Sequence, residues 1–239
     1  MREKKFSKWL LCAVALTSGV MCAQSRSATS PASVLQLRIG SSQPGKHRAV
    51  AAVVWLEPLT GTPALPFLPH GRYTLLQKNR TFTPHLQVIP AGSVVQFPNA
   101  DPFFHNVFSL FNGKRFDLGL YEAGSSKSVT FPREGVSYIF CNIHPEMSAV
   151  VISLTTPLYA IADANDAFVL TNIPPGDYIL HFWIEGVPQS TLGGLDRRVH
   201  LTPGLVDLGE LSTPMGRNST PTHSNKFGRA YDTDSKSIY

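Results

Sequence analysis

The stretch Phe140–Leu154 reads FCNIHPEMSAVVISL and sets Cys141, His144 and Met147 three residues apart, just ahead of an apolar run. A thiolate, an imidazole and a thioether are soft or borderline donors, and three of them on one tight loop are the beginnings of a metal site. The spacing alone is weak, because Cys and Met are common core residues and buried His is often no more than a hydrogen-bonded polar group. A further donor, His105, lies upstream in FFHNVFS, at the edge of another apolar segment. Two imidazoles, one thiolate and one thioether match the trigonal His₂Cys arrangement with a weak axial Met that holds copper for one-electron transfer. Zinc prefers four strong ligands in a closed tetrahedron, and a thioether is a poor fourth. A two-copper site needs a second nearby cysteine, and a multicopper oxidase needs paired-histidine motifs such as HxH; none of the 8 His is so arranged. One metal ion and no evident substrate pocket point away from an enzyme.

The context of Cys141 sharpens this reading. The chain opens with the basic MREKKFSK, continues with the apolar WLLCAVALTSGVMC and passes into the small and polar AQSRSATS. That order is an export signal, expected over residues 1–23 and removed near Cys22, Ala23 or Gln24. The apolar run is short for a membrane span, so none is expected after cleavage. Two of the 3 Cys, Cys12 and Cys22, belong to this leader. Cys141 is then an orphan thiol in an oxidising, periplasmic or secreted setting, unable to form an internal disulfide. A buried inert thiol, an intermolecular bridge and a metal-held thiolate are the three readings left. The leader also carries Arg2, Lys4, Lys5 and Lys8 against Glu3, most of the net charge of +5. What is left gives no basic stripe of the kind nucleic acid requires.

The elements that must position these donors are strands. Short or alternating apolar runs such as AVAAVVWLEPL, HLQVIP, SVVQFPN, SVTFP, VSYIFC, SAVVISL and DYILHFWIEG recur between turns rich in the 18 Gly and 19 Pro. No long helical period interrupts them, so the expected class is an all-β sandwich. In VSYIFC, alternation sets Tyr138 and Phe140 on one face and Ile139 and Cys141 on the other. The polar stretch 214–239 lacks apolar content and is expected to stay unstructured.

FPNADPFFHNVFS followed by GVSYIFCNIHPEM resembles the cupredoxins, in the plastocyanin and amicyanin branch; the two-residue gaps on either side of the histidine are most similar to amicyanin. That resemblance implies a Greek-key β-sandwich over residues 73–155, with one blue copper ion held by His105, Cys141, His144 and Met147. It makes Asn106 the residue that ties the two ligand loops together. It also implies an apolar collar about His144, drawn from Phe97, Phe103, Phe104, Phe108 and Phe111. The partner it implies is a redox protein, a dehydrogenase or a c-type cytochrome. The same segment is similar to that of exported bacterial proteins labelled as methylamine-utilisation proteins. YAIADANDAFVLTNIPPGDYILHFWIEG resembles the latter half of a carboxypeptidase-regulatory-like (transthyretin-like) sandwich.

The expected organisation is therefore a signal at 1–23, a linker at 24–34 and N-terminal strands at 35–72. The metal-binding unit follows at 73–155, then second-sandwich strands at 156–213 and the tail at 214–239. The N-terminal strands either complete the second sandwich, with the metal-binding unit inserted between its halves, or extend the metal-binding sheet. His85 either approaches the metal loop or is a satisfied surface position. The functional expectation is a copper electron carrier, against a non-redox copper-handling or adhesion protein.

Overall fold

A computed structural model describes residues 32–41, 51–69, 71–110, 113–213 and 224–231. The expected signal, with Cys12 and Cys22, lies outside the described residues, as do His47, His70, Phe111 and His223.

In chain order the strands begin with β1 (Ser33–Ser41) and β2 (Ala52–Pro58). There follow β3 (Tyr73–Thr74), β4 (Leu76–Lys78), β5 (Thr81–Thr83), β6 (Leu86–Pro90), β7 (Ser93–Pro98) and β8 (His105–Ser109). Next come β9 (Phe116–Tyr121), β10 (Ser126–Phe131), β11 (Gly135–Cys141) and β12 (Ser148–Leu154). The chain continues with β13 (Tyr159–Ile161), β14 (Ala167–Ile173), β15 (Gly176–Ile184), α1 (Gln189–Leu192), β16 (Arg197–Leu201) and β17 (Gly204–Thr213). The all-β class holds. The one helix among the described residues, α1, is a single turn of 4 residues after Pro188, too short to leave a helical period in the sequence.

The central part is two sheets, β6-β12-β11-β8-β9 and β10-β7-β3, with the hairpin β4-β5 beside them. Phe82, Val95, Phe97, Phe131, Ile139 and Val151 are among the side chains that fill the space between them. The turn from β6 to β7 needs Gly92 at φ 91°, where an L side chain would be strained.

The remaining strands form the sheets β14-β1-β17 and β13-β2-β15-β16. β1 runs antiparallel to β14 and parallel to β17, and β2 lies antiparallel between β13 and β15. The N-terminal strands thus pair with strands from the far end of the chain, and β1 starts at Ser33, two residues before the expected boundary. A second core lies here, around Leu35, Leu56, Phe168, Tyr178 and Trp183.

β12 joins the two cores. Ala149 and Val151 face the first core, while Val150, Ile152 and Leu154 face the second. A strand buried on both faces has no solvent side, so AVVISL runs without polar alternation apart from Ser153, whose hydroxyl donates to the Arg133 carbonyl at 2.6 Å. β11 behaves likewise: Ile139 and Cys141 point into the first core, and Tyr138 packs on the second, its hydroxyl accepting from Trp183 Nε1 at 3.1 Å.

His85 spans the same boundary from the edge. Its Nε2 lies 2.6 Å from Glu185 Oε1, just beyond β15, and its Nδ1 lies 3.1 Å from the Ser148 carbonyl of β12. Of its two expected placements it takes the satisfied surface one. The Glu185 bond raises its pKa from the ordinary 6.5, against the opposing effect of burial. A raised folded-state pKa gives stability that is fully present below the unfolded value and is lost as pH climbs through the folded one. His85→Gln should therefore lower the melting temperature more at pH 5.5 than at pH 8.5; equal losses at both would show that the bridge contributes no charge interaction.

Candidate metal centre

β8 and β11 are neighbours in the five-stranded sheet, with Cys141 opposite Val107 and Phe140 opposite Phe108. That register brings His105, at the start of β8, to the end of β11 where Cys141 sits. The chain then turns through Asn142–Glu146 and re-enters the sheet as β12, with the Met147 amide bonded to the His144 carbonyl at 3.1 Å and the Cys141 amide to the Met147 carbonyl at 3.3 Å. Pro145 has no amide to donate, and the tight loop leaves His144 turned back toward Cys141.

The three strong donors converge. Cys141 Sγ lies 3.7 Å from His105 Nδ1 and 3.6 Å from His144 Nδ1, and the two Nδ1 atoms lie 3.2 Å apart. A first-row ion bonded at about 2.0–2.3 Å, with angles of about 100–120°, gives ligand-to-ligand edges of about 3.1–3.7 Å. The triangle therefore fits one such ion. His105 and Cys141 are fully buried and His144 is 5% exposed. Met147, also fully buried, packs in the same apolar cluster as Cys141.

Two of the three donors are held in the form that binds a metal. Burial lowers the pKa of both imidazoles, and each is further lowered by neighbouring positive charge, His105 acting on His144 and Arg80 on both. Neutral rings leave a nitrogen lone pair available for a metal. Burial raises the Cys141 thiol, partly offset by amides donated to its sulfur from Asn106, Ile143 and His144. Those three N–H groups already suit a sulfur that carries negative charge, which a bound cation would stabilise outright.

Behind the donors stands Asp101, a residue that the sequence reading did not single out. Its Oδ2 lies 2.9 Å from His105 Nε2, and its two oxygens also accept the Asn79 amide at 2.6 Å and the Arg80 amide at 3.0 Å. Burial would raise this carboxyl, but the bonds from Arg80, His105 and Asn79 outweigh it and hold the group below the usual carboxylate range. An ionised Asp101 fixes the His105 tautomer, with the proton on Nε2 and Nδ1 free toward the cluster. Asn99 sets the loop that carries Asp101, accepting the Asp101 amide at 3.0 Å and donating to the Phe103 carbonyl at 2.8 Å. The signal was available in NADPFFH, an acid four residues before the histidine, but only the fold shows that the loop folds back on itself.

Asn106, the expected tie between the two ligand loops, reaches the neighbouring loop through its backbone. Its carbonyl accepts the Asn142 amide at 3.1 Å and its amide serves the Cys141 sulfur, so the two ligand loops are tied main chain to main chain. Its side chain turns away and donates to Asp117 Oδ1 at 2.7 Å. Of the collar residues, Phe103 packs against both rings, with centroids 5.3 Å from His105 and 5.5 Å from His144. Arg80 caps the Phe103 ring at 5.3 Å. Phe97 is core and Phe108 packs on Phe140, whereas Phe104, beside His105, and Ile143, beside His144, are 49% and 38% exposed. His181 and His200 pair with carboxylates away from this cluster.

No protein-family model and no curated protein matches the chain. Among solved structures it is similar to a Cu-containing nitrite reductase (NirK) from Thermus scotoductus SA-01, at 25% identity and TM-score 0.33, over 41% of this chain and 25% of that one. It spans about a quarter of that enzyme's length. A purple cupredoxin from Nitrosopumilus maritimus is similar over 36% of this chain and 100% of its own, at 24% identity and TM-score 0.32. Amicyanin from Paracoccus versutus is similar over 42% and 97%, at 20% identity and TM-score 0.33.

Asp101→Asn keeps the shape but removes the charge behind His105. Affinity for a first-row divalent ion should fall by about 10–100-fold, the usual cost of losing such a partner, as read by Co(II) titration of the metal-free protein. Unchanged affinity would mean that Asp101 only orders its own loop.

Proposed function

We propose that the chain is an exported mononuclear copper protein that carries single electrons between redox partners outside the cytoplasm. The observation that carries this reading is the buried triangle of His105, Cys141 and His144 with edges of 3.2–3.7 Å. A soft N₂S donor set held in apolar surroundings, with a thioether close in sequence, suits copper better than zinc.

His105, Cys141 and His144 would hold the ion, and the buried Met147 would offer a further, weak thioether donor. Copper bound there supplies one-electron exchange between its two common oxidation states. The chain's own contribution is to keep the donors still. Cys141 is fixed by its ladder place between β8 and β12, His105 by Asp101, and His144 by the short loop and Phe103. Apolar packing around Cys141 excludes water, so little has to rearrange when an electron arrives or leaves. The partners of this reading are redox proteins such as a dehydrogenase or a c-type cytochrome. They would approach over the apolar side chains next to the histidine ligands, where interfaces for transient electron transfer are small.

Cu(II) added to the metal-free protein should produce an intense visible thiolate-to-copper band that ascorbate bleaches reversibly. Cys141→Ser should abolish the colour, and colour that survives would overturn the ligand set. Tight Cu(I) binding without the band would favour a non-redox copper-handling role instead. Met147→Leu should keep the colour and raise the reduction potential, because an apolar neighbour stabilises the oxidised ion less than a thioether does; an unmoved potential would remove Met147 from the site.

A further inference from the structure

The polar tail, expected to be unstructured, returns in part to the metal centre. Ser224–Tyr231 contains a turn closed by the Asn225 amide on the Arg229 carbonyl at 2.8 Å and the Gly228 amide on the Asn225 carbonyl at 2.9 Å. Asn225 Oδ1 is the hub, accepting the amides of Phe227 at 3.0 Å and Arg229 at 3.1 Å. The segment is thus built locally by Asx-type bonds and not by an apolar core of its own, the feature by which the composition alone was judged.

Three bonds lead from this turn to the backbone that carries the ligands. The Lys226 amide donates to Asn142 Oδ1 at 2.9 Å. The Tyr231 hydroxyl donates to the Cys141 carbonyl at 2.8 Å, and burial raises the pKa of this phenol. Lys226 Nζ meets Asp117 Oδ2 at 2.8 Å, while the other Asp117 oxygen accepts from Asn106 Nδ2 at 2.7 Å and the Gly119 amide at 2.9 Å. Those contacts fall on Cys141 itself, on the residue after it and, through Asp117, on the residue after His105. The bond to Asp117 lowers that carboxyl below its usual range, although burial opposes it, so the Lys226–Asp117 pair is a charged one. A segment settled by chance on a sheet end has no reason to meet both ligand strands at once.

We propose that Ser224–Tyr231 is an intramolecular strap, and that Lys226 and Tyr231 are positioning residues for the metal centre. The inference rests on the copper reading above and adds the restraint that keeps the site stiff. The loop Asn142–Glu146 is tied on its inner side by the Asn142 amide on the Asn106 carbonyl and the Met147 amide on the His144 carbonyl, and the strap adds restraints from its outer side. Tyr231 holds the Cys141 peptide from outside the core, and Lys226 holds Asn142 and, by way of Asp117, the strand that carries His105.

The test uses the full chain with Tyr231→Phe and Lys226→Met, each of which removes one polar group and retains bulk. In the metal-free protein, amide hydrogen exchange should quicken by about fivefold, the factor that one ordinary hydrogen bond is worth, over 141–147 in Tyr231→Phe and over 105–107 and 116–119 in Lys226→Met, whose backbone bond to Asn142 remains. In the copper form, release to a chelator should quicken by a similar factor and the visible band should shift, with the global melting temperature little changed. Lys226→Arg, which keeps the charge opposite Asp117, should restore wild-type behaviour. Exchange and copper release at wild-type values in both variants, or effects that merely follow global melting, would overturn the strap. If the wild-type protein takes up copper without colour, the electron-transfer reading fails, and exchange in the metal-free protein still decides the strap by itself.

Discussion

The structure turns on one constraint: a sulfur and two ring nitrogens, all buried, held within 3.2–3.7 Å of one another. Burial makes the thiol harder to ionise and the imidazoles harder to protonate, so three neutral polar groups crowd into an apolar space. Desolvating them costs free energy, which a cation held among them would offset. The surrounding fold supplies the opposing order, through the Asp101 bond behind His105, the amides on the Cys141 sulfur and the Phe103 ring against both imidazoles.

Rigidity reaches the site from a sheet that is buried on both sides. β11 and β12, the strands flanking the ligand loop, place alternate residues in two different cores. A movement of Cys141 along β11 would have to carry Tyr138 and its Trp183 bond with it. Close-packed interiors resist such shifts, since every displaced side chain forfeits contacts on both faces. The second core thus acts as a backing plate for the metal centre, and the His85–Glu185 contact pins the edge of the same sheet beside Ser148. The strands from the two ends of the chain that enclose this core are joined by β1 lying between β14 and β17.

Much of this was legible in residue order. Strand alternation gave the all-β class and the facing of Ile139 with Cys141, because a pleat repeats every two residues whatever the strand pairs with. The C-x-x-H-x-x-M spacing placed three donors on one loop for the same local reason. His105 could be nominated by type, and its Nδ1 lies 3.7 Å from Cys141 Sγ and 3.2 Å from His144 Nδ1. Arg80 and the strap could not be found this way, because each acts across the fold; Asp101 left only the trace of an acid four residues before His105, with nothing in NADPFFH to announce that its other bonds reach Asn79 and Arg80.

What the sequence determined by itself was the chemistry: which donors exist, their softness, and the loop too short to let Cys141 and His144 part. Tertiary structure alone decided that Asn106 ties the loops through its backbone while its side chain turns to Asp117. It also decided that an acid lies behind His105, and that Lys226 and Tyr231 reach the Cys141 loop from more than 80 residues away. The physical reason is range. Periodicity and donor type are properties of neighbouring residues, whereas a hydrogen bond between distant segments depends on strand register and sheet order, which no local pattern encodes.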